Sequence, residues 1–258
     1  MDLSDNPNAQ AIEEAVRYKT VGVAQSGEVG SGTLVSWKGR RFVLTAAHVA
    51  GNVNLSGLRF ILPFTSAPAK AERHELDALI DFKQANLDEP VELPVTGVLR
   101  DETLHLAAIE LKTDAELRAP AEFFDLDLGA PSPQPGQSVT MTGFPVDLKK
   151  THDTGVQVLF TLADWNDVAA PPETLEGFNP EIHFVVPFGS REQYPDADPH
   201  GFSGAGVWYR KGSTPEIWHA NLELGGVIVT WFKKTNLLKV VKREAVEAFF
   251  LKEAKSRE

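Results

Sequence analysis

The sequence predicts an all-β fold, and three observations carry the prediction. Around a dozen short apolar runs follow one another along the chain with turn residues between them, the spacing of a barrel or sandwich. No internal repeat occurs at the periods of solenoids or propellers. The 258 residues, 42% of them hydrophobic, suffice for one medium domain or two small half-domains sharing a core.

The elements follow in order. Asn6-Pro7 ahead of AIEEAV predicts a short N-terminal helix with Ile12, Ala15 and Val16 on one face. Strand runs come next: KTVGVAQ, GSGTLVSW, RFVLTAAHV, LRFILPF, VELPVTGVL, HLAAIEL and QSVTMTGFP. Lys38-Gly39-Arg40 marks a hairpin tip between two of them. AERHELDALIDF is a polar, helix-like stretch. Residues 113–137, rich in Pro, Ala and acids, divide the chain into halves as a linker. The second half continues with GVQVLFTLADW, EIHFVVPF, GAGVWYR and LGGVIVTWF, and a polar loop over 187–200 leads into a glycine-rich segment. From residue 236 onward, Leu237, Val240, Val241, Ala245, Ala248 and Phe249 follow helical spacing, predicting a C-terminal amphipathic helix. The expected organisation is a helical extension over 1–17, a first β unit over 18–115, a linker over 116–136, a second β unit over 137–236 and a helix over 237–258.

Composition narrows the function classes. The 25 basic and 36 acidic residues leave a net charge of −11, a surface that repels phosphate backbones and anionic lipid. Neither nucleic acid nor membrane is therefore an expected partner. No apolar run is long enough to span a bilayer, and the acidic start MDLSDNPNAQ shows no secretory signal. Cysteine is absent, as suits a reducing compartment, so the expected location is the cytoplasm.

Two segments could carry chemistry. In RFVLTAAHV a strand ends at Thr45-Ala46-Ala47-His48, where small neighbours let an imidazole project into a cleft; a lone histidine of this kind is also compatible with simple packing. In Gly201-Phe202-Ser203-Gly204-Ala205-Gly206 a serine lies among residues small enough to admit a substrate carbonyl, and the amides of Gly201 and Ser203 could converge on it. A plain turn would also use such glycines.

Taken together, SGTLVSW…RFVLTAAHV, HLAAIEL, VTMTGFP and GFSGAGVW…LGGVIVTW stand in the order and at about the separations found in the trypsin-like (chymotrypsin-fold) serine proteases. The chain resembles that family over roughly residues 18–250, most closely its bacterial, disulfide-free branch. The resemblance implies two perpendicular six-stranded β-barrels, a cleft between them and a closing C-terminal helix. It also implies His48 as general base, Ser203 as nucleophile, and a mechanism without metal or cofactor. Two departures are visible. Gly204-Ala205 stands where the family usually has two glycines, a small change. Phe202 occupies the place of the aspartate that receives a freed N-terminus in secreted relatives, which argues against activation by that route.

The third departure is larger. His105 stands where the family's triad aspartate begins the segment HLAAIEL. Three explanations compete. Asp101 could substitute, but four residues at about 3.3 Å each place it some 13 Å away unless a loop folds back; Asp77 and Asp81 fall in the polar helix-like stretch. His105 could itself be the third member, since a neutral imidazole has one bare nitrogen that can accept the Nδ1–H of His48. It would supply no full negative charge, and activity would fall at mildly acidic pH as His105 protonates. Finally, the barrel could be catalytically silent and bind peptides or partners. A minor variant has the two histidines hold zinc, without an evident third ligand.

By motif offset the substrate pocket is built from Ala197 at its floor and Thr230, Trp231 and Phe232 along one wall, with Asp196 and Asp198 as neighbours. His200 lies three residues before Ser203 and faces either the substrate or solvent. Phe232, pointing inward, would favour small or medium apolar residues. The expected partners are a peptide or protein substrate and a regulatory protein.

Overall fold

The computed structural model describes residues 7–25, 28–51, 58–61, 84–86, 93–112, 121–128, 131–145, 150–151, 157–160, 162–170, 174–189, 199–211 and 222–255. Helix α1 (Pro7–Arg17) begins with proline at its first position, where no N–H is required. The first half then runs β1 (Thr20–Gln25), β2 (Glu28–Trp37), β3 (Arg40–Ala46), β4 (Arg59–Ile61), β5 (Gln84–Asn86), β6 (Val95–Asp101), β7 (Leu106–Leu111) and β8 (Phe124–Asp125). The second half runs β9 (Ser138–Gly143), β10 (Lys150–Thr151), β11 (Gln157–Phe160), β12 (Leu162–Asp167), β13 (His183–Pro187), β14 (Gly206–Arg210), β15 (Leu222–Phe232) and β16 (Leu237–Lys242), and closes with α2 (Arg243–Lys255).

The strands form two main sheets. The first has the order β4-β1-β2-β3-β7-β6, with β8 added in parallel to β2, and the second is six-stranded in the order β12-β9-β14-β15-β16-β13. The β2–β3 hairpin turns at Lys38-Gly39, both with positive φ (48° and 72°), the geometry that matches strand twist. Each sheet encloses its own core. Leu34, Phe42, Leu44, Phe60 and Ile109 fill the first, and Met141, Phe184, Val186, Val207 and Val240 fill the second. The outward face of the second sheet joins the first core through Trp208, Val227 and Val241. Phe250 of α2 stacks on Trp37 at 5.3 Å and meets Phe42 at 4.9 Å. Burying such a ring is worth roughly 2 kcal/mol, so the last helix is fastened to the first half of the chain.

Three expectations are corrected. The terminal helix starts at Arg243, because residues 237–242 are the strand β16, its four central residues buried. Val240 and Val241 face the two different cores, and β-branched valines with ladder partners on both β13 and β15 settle on strand. GVQVLFTLADW divides into β11, which pairs with β5, and β12, which pairs with β9. The linker over 116–136 is partly built into the fold: β8 extends the first sheet and Leu126 is buried in its core. AERHELDALIDF, with Asp77 and Asp81, lies outside the described residues. Among the described residues, no helix is long and apolar enough to cross a membrane.

Candidate active site

His48 follows β3 in a turn held by N–H groups of Val49 and Ala50 on the carbonyl of Ala46. Its side chain is exposed while Ala46, Ala47, Val49 and Ala50 around it are buried. The turn packs over Gly30 of β2, where a Cβ would lie 2.5 Å from Val49 Cγ2 and 3.2 Å from the carbonyl oxygen of Ser203. The histidine turn and the serine loop therefore meet over one glycine, and a side chain at position 30 would separate them.

The serine loop is best understood by following its backbone hydrogen bonds, since buried N–H and C=O groups are almost always paired. The carbonyl of Gly201 accepts from Ser31 Oγ, and that of Gly204 from Thr33 Oγ1. The carbonyls of Phe202, Ser203 and Ala205 accept from the N–H groups of Ala205, Ser31 and Ile228. The amides of Phe202 and Gly204 donate to Pro199 and Ile228. Among the described residues, only the N–H groups of Gly201 and Ser203 in this run have no partner. The Phe202 N–H to Pro199 C=O bond (2.9 Å) closes a turn whose third residue, Gly201, has φ +102° while His200 does not share the positive φ. That is a type II turn. Two unbonded amides in an otherwise saturated loop, beside a half-buried serine hydroxyl, can receive an oxygen that gains negative charge.

Phe202 explains how the loop is held without the aspartate of secreted relatives. Its ring is fully buried, stands edge-on to Phe188 at 5.5 Å, and fills the space where a Cβ on Gly143 would be 2.8 Å away. Gly204 has φ +95°, and a Cβ there would fall 1.8 Å from the carbonyl oxygen of Ser31.

His105 ends the turn between β6 and β7 with φ +56°, the left-handed region. Its carbonyl accepts the N–H of Ala47 at 2.8 Å, which places its backbone beside the residue preceding His48. The His105 side chain is exposed and, among the described residues, makes no side-chain hydrogen bond. Asp101 is engaged elsewhere. Its Oδ1 accepts the N–H groups of Thr103 (3.0 Å) and Leu104 (3.1 Å), and its Oδ2 pairs with Lys252 at 3.2 Å. Burial alone would raise the Asp101 pKa, but the Leu104 amide and Lys252 outweigh it and hold the carboxyl below its usual range.

The sequence reading passed over His183 of β13, which packs against Phe178. It is 4% exposed. Its Nδ1 accepts the N–H of Asn179 at 3.0 Å, so the proton resides on Nε2, which has no partner. Burial, and after it the charges of Lys239, His105 and Lys242, lower its pKa to about 4.

Thr230, Trp231 and Phe232 lie together, half-buried, at the end of β15, where β16 pairs along one side. On the other side β14 pairs no further than Gly206↔Val227, so Thr230–Phe232 extend past the end of that ladder. His200 is exposed, and Ala197, Asp196 and Asp198 lie outside the described residues. Among the described residues, no three His, Cys, Asp or Glu side chains gather, so the zinc variant gains no third ligand. The sequence reading also passed over Ser31, Thr33 and Thr45. The available signal was a hydroxyl at each of three positions in runs otherwise apolar or glycine-rich.

The sequence model of the trypsin-like peptidase domain matches residues 30–213. No curated protein sequence matches the chain. Among solved structures, the Rv3671c protease of Mycobacterium tuberculosis, in its inactive form, is similar at 17% identity with a TM-score of 0.52, over 97% of this chain and 94% of that one. An inactive-form serine-to-alanine mutant of Rv3671c gives 16% identity and a TM-score of 0.56, over 99% and 94%. The serine endoprotease of Yersinia pestis gives 14% and 0.54, over 96% of this chain and 66% of that one. These likenesses show the fold.

Proposed function

The chain belongs to the trypsin-like peptidase family of serine proteases, and on that premise we propose an endopeptidase acting through an acyl-enzyme, with Ser203 as nucleophile, His48 as general base and His105 in the aspartate's place. One observation carries the reading: the loop over 201–205 pairs every backbone group except the two amides that flank the attack site. Ser203 Oγ attacks the scissile carbonyl as His48 takes its proton, and the carbonyl oxygen becomes an oxyanion between the Gly201 and Ser203 N–H groups. Collapse of this intermediate expels the amine, protonated by His48, and water repeats the sequence on the ester. His105, neutral, accepts the Nδ1–H of His48 and holds its tautomer. A substrate strand runs along the end of β15 at Thr230–Phe232, beyond the last β14 pair. Trp231 and Phe232 shape a pocket for small or medium apolar residues. No metal or cofactor enters these steps. A cysteine-free core suits work in the cytoplasm, with a regulatory protein governing access.

The exposed, unbonded ring of His105 favours a second reading, a silent barrel that binds peptides at the same strand end. A fluorophosphonate probe separates the two. Labelling that vanishes in Ser203→Ala and falls in His48→Ala is the result expected of the enzyme; absence of labelling from pH 6 to 9 would establish the binding module.

A further inference from the structure

Ser31 lies on β2 in the first half of the chain, fully buried, and every polar group it owns is engaged. Its N–H donates to the carbonyl of Ser203 at 2.8 Å, and its own carbonyl accepts Thr45 Oγ1 at 2.6 Å. Its hydroxyl donates to the carbonyl of Gly201 at 2.6 Å and accepts the N–H of Phe144 at 3.0 Å. One residue thus joins β3, the end of β9 and both ends of the nucleophile segment, reaching 170 positions along the chain. A hydroxyl with one hydrogen and two lone pairs fits this pair of neighbours without a conflict.

The bond to Gly201 has a consequence that packing alone would not have. The peptide unit between Gly201 and Phe202 contains both the carbonyl that Ser31 holds and the N–H that closes the type II turn on Pro199. Holding that unit keeps the Phe202 N–H on Pro199 and so preserves the turn in which Gly201 takes φ +102° and its own amide is left unbonded. Without the donor, the Gly201 carbonyl would be a buried acceptor without a partner, free to rotate toward another; the Phe202 N–H would turn with it, and the turn that sets the Gly201 amide would loosen. We infer that Ser31 is a positioning residue for the oxyanion hole, its hydroxyl holding the Gly201 amide in the donating orientation across the junction of the two sheets. The inference rests on the proposed roles of Gly201 and Ser203. A displacement near 1 Å at such a site costs up to about a hundredfold in rate.

The test uses the full chain, a p-nitrophenyl peptide ester as substrate and a peptide aldehyde as transition-state analogue. Ser31→Ala keeps the backbone bonds to Ser203 and Thr45 and removes only the hydroxyl. It should lower kcat by about 10–100-fold with KM within about twofold, and weaken the aldehyde by a similar factor. Ser31→Cys, of near-equal size and a weaker donor, should fall between, and decides the matter if the alanine variant does not fold. Ser132→Ala is the control. Its buried hydroxyl joins Gly225, Glu244 and the N–H of Arg243 away from the cleft, so it should lower Tm and leave kcat unchanged. A Ser31 variant that keeps its kcat, or loses kcat while binding the aldehyde as tightly as before, would overturn the inference. Fluorophosphonate labelling of the unmodified chain, and its loss in Ser203→Ala, is read first. Its failure would remove the catalytic reading and the inference together, and is distinct from a result confined to Ser31.

Discussion

The nucleophile loop and the His105 turn both border the His48 turn, yet they are held in opposite ways. The loop is buried, saturated with hydrogen bonds from β2 and β15, and plugged by Phe202. The His105 turn is exposed at its tip, organised by one carboxylate, and ends in a left-handed non-glycine residue. The difference separates two requirements of the same reaction. An amide pair that must receive developing charge works by being fixed beforehand, so its surroundings leave it no alternative. A residue proposed to act only through the histidine it orients has no such need, and the His105 ring is left to solvent.

Three perturbations probe that contrast, beginning with the largest. Gly204→Ala forces a Cβ to within 1.8 Å of the Ser31 carbonyl oxygen at a backbone of φ +95°. It should cost about 4 kcal/mol or more of stability, measured by urea unfolding, and abolish fluorophosphonate labelling. Survival of both would mean the loop is not the rigid partner.

The next concerns pH. His183 is neutral in the fold with its pKa depressed to about 4, chiefly by burial, whereas the unfolded chain protonates it near the ordinary value of about 6.5. Between those values the unfolded state binds more protons, so stability is complete above about pH 6.5 and declines as pH falls toward 4. The expected loss from pH 7 to pH 4.5 is about 2 kcal/mol. Denaturant titrations of the natural chain and of His183→Phe at both pH values check this. An equal pH slope in both proteins would show that the buried ring carries no such burden.

The smallest effect is the most diagnostic for the turn itself. A left-handed residue with a side chain costs roughly 1 kcal/mol relative to glycine, so His105→Gly should hold or raise stability by about that much. If His105 orients His48, the same variant should lose at least about tenfold in kcat/KM. Thermal unfolding and ester hydrolysis on one preparation separate the two. Higher stability with unchanged kcat/KM would reduce His105 to a turn residue.

Much of the fold was legible because its signals are local. Short apolar runs such as those of β3, β7 and β14, almost continuously buried, need only their own few residues and the flanking turns to be recognised, as does the two-residue hairpin at Lys38-Gly39. The last strand was hidden because Leu237, Val240 and Val241 continue the helical spacing of Ala245, Ala248 and Phe249 and are buried on both faces of the strand rather than alternating, and only ladder partners on β13 and β15 reveal it. Asp101 shows the opposite failure. The extended spacing placed it about 13 Å from His105, but the turn after β6 folds back and sets Asp101 opposite Leu106, and its engagement with Lys252, 151 positions away, was not visible either.

By itself, the sequence determined the all-β class and the family, and it offered His48 and Ser203 as the residues to test. Each of these is written in short runs whose residue types and order suffice. Only the tertiary structure decided that Ser31 reaches Gly201, that His183 is buried, and that His105 takes a left-handed backbone. Hydrogen-bond partners and burial depend on which distant segments the packing of two sheets brings together, and no local pattern encodes that meeting.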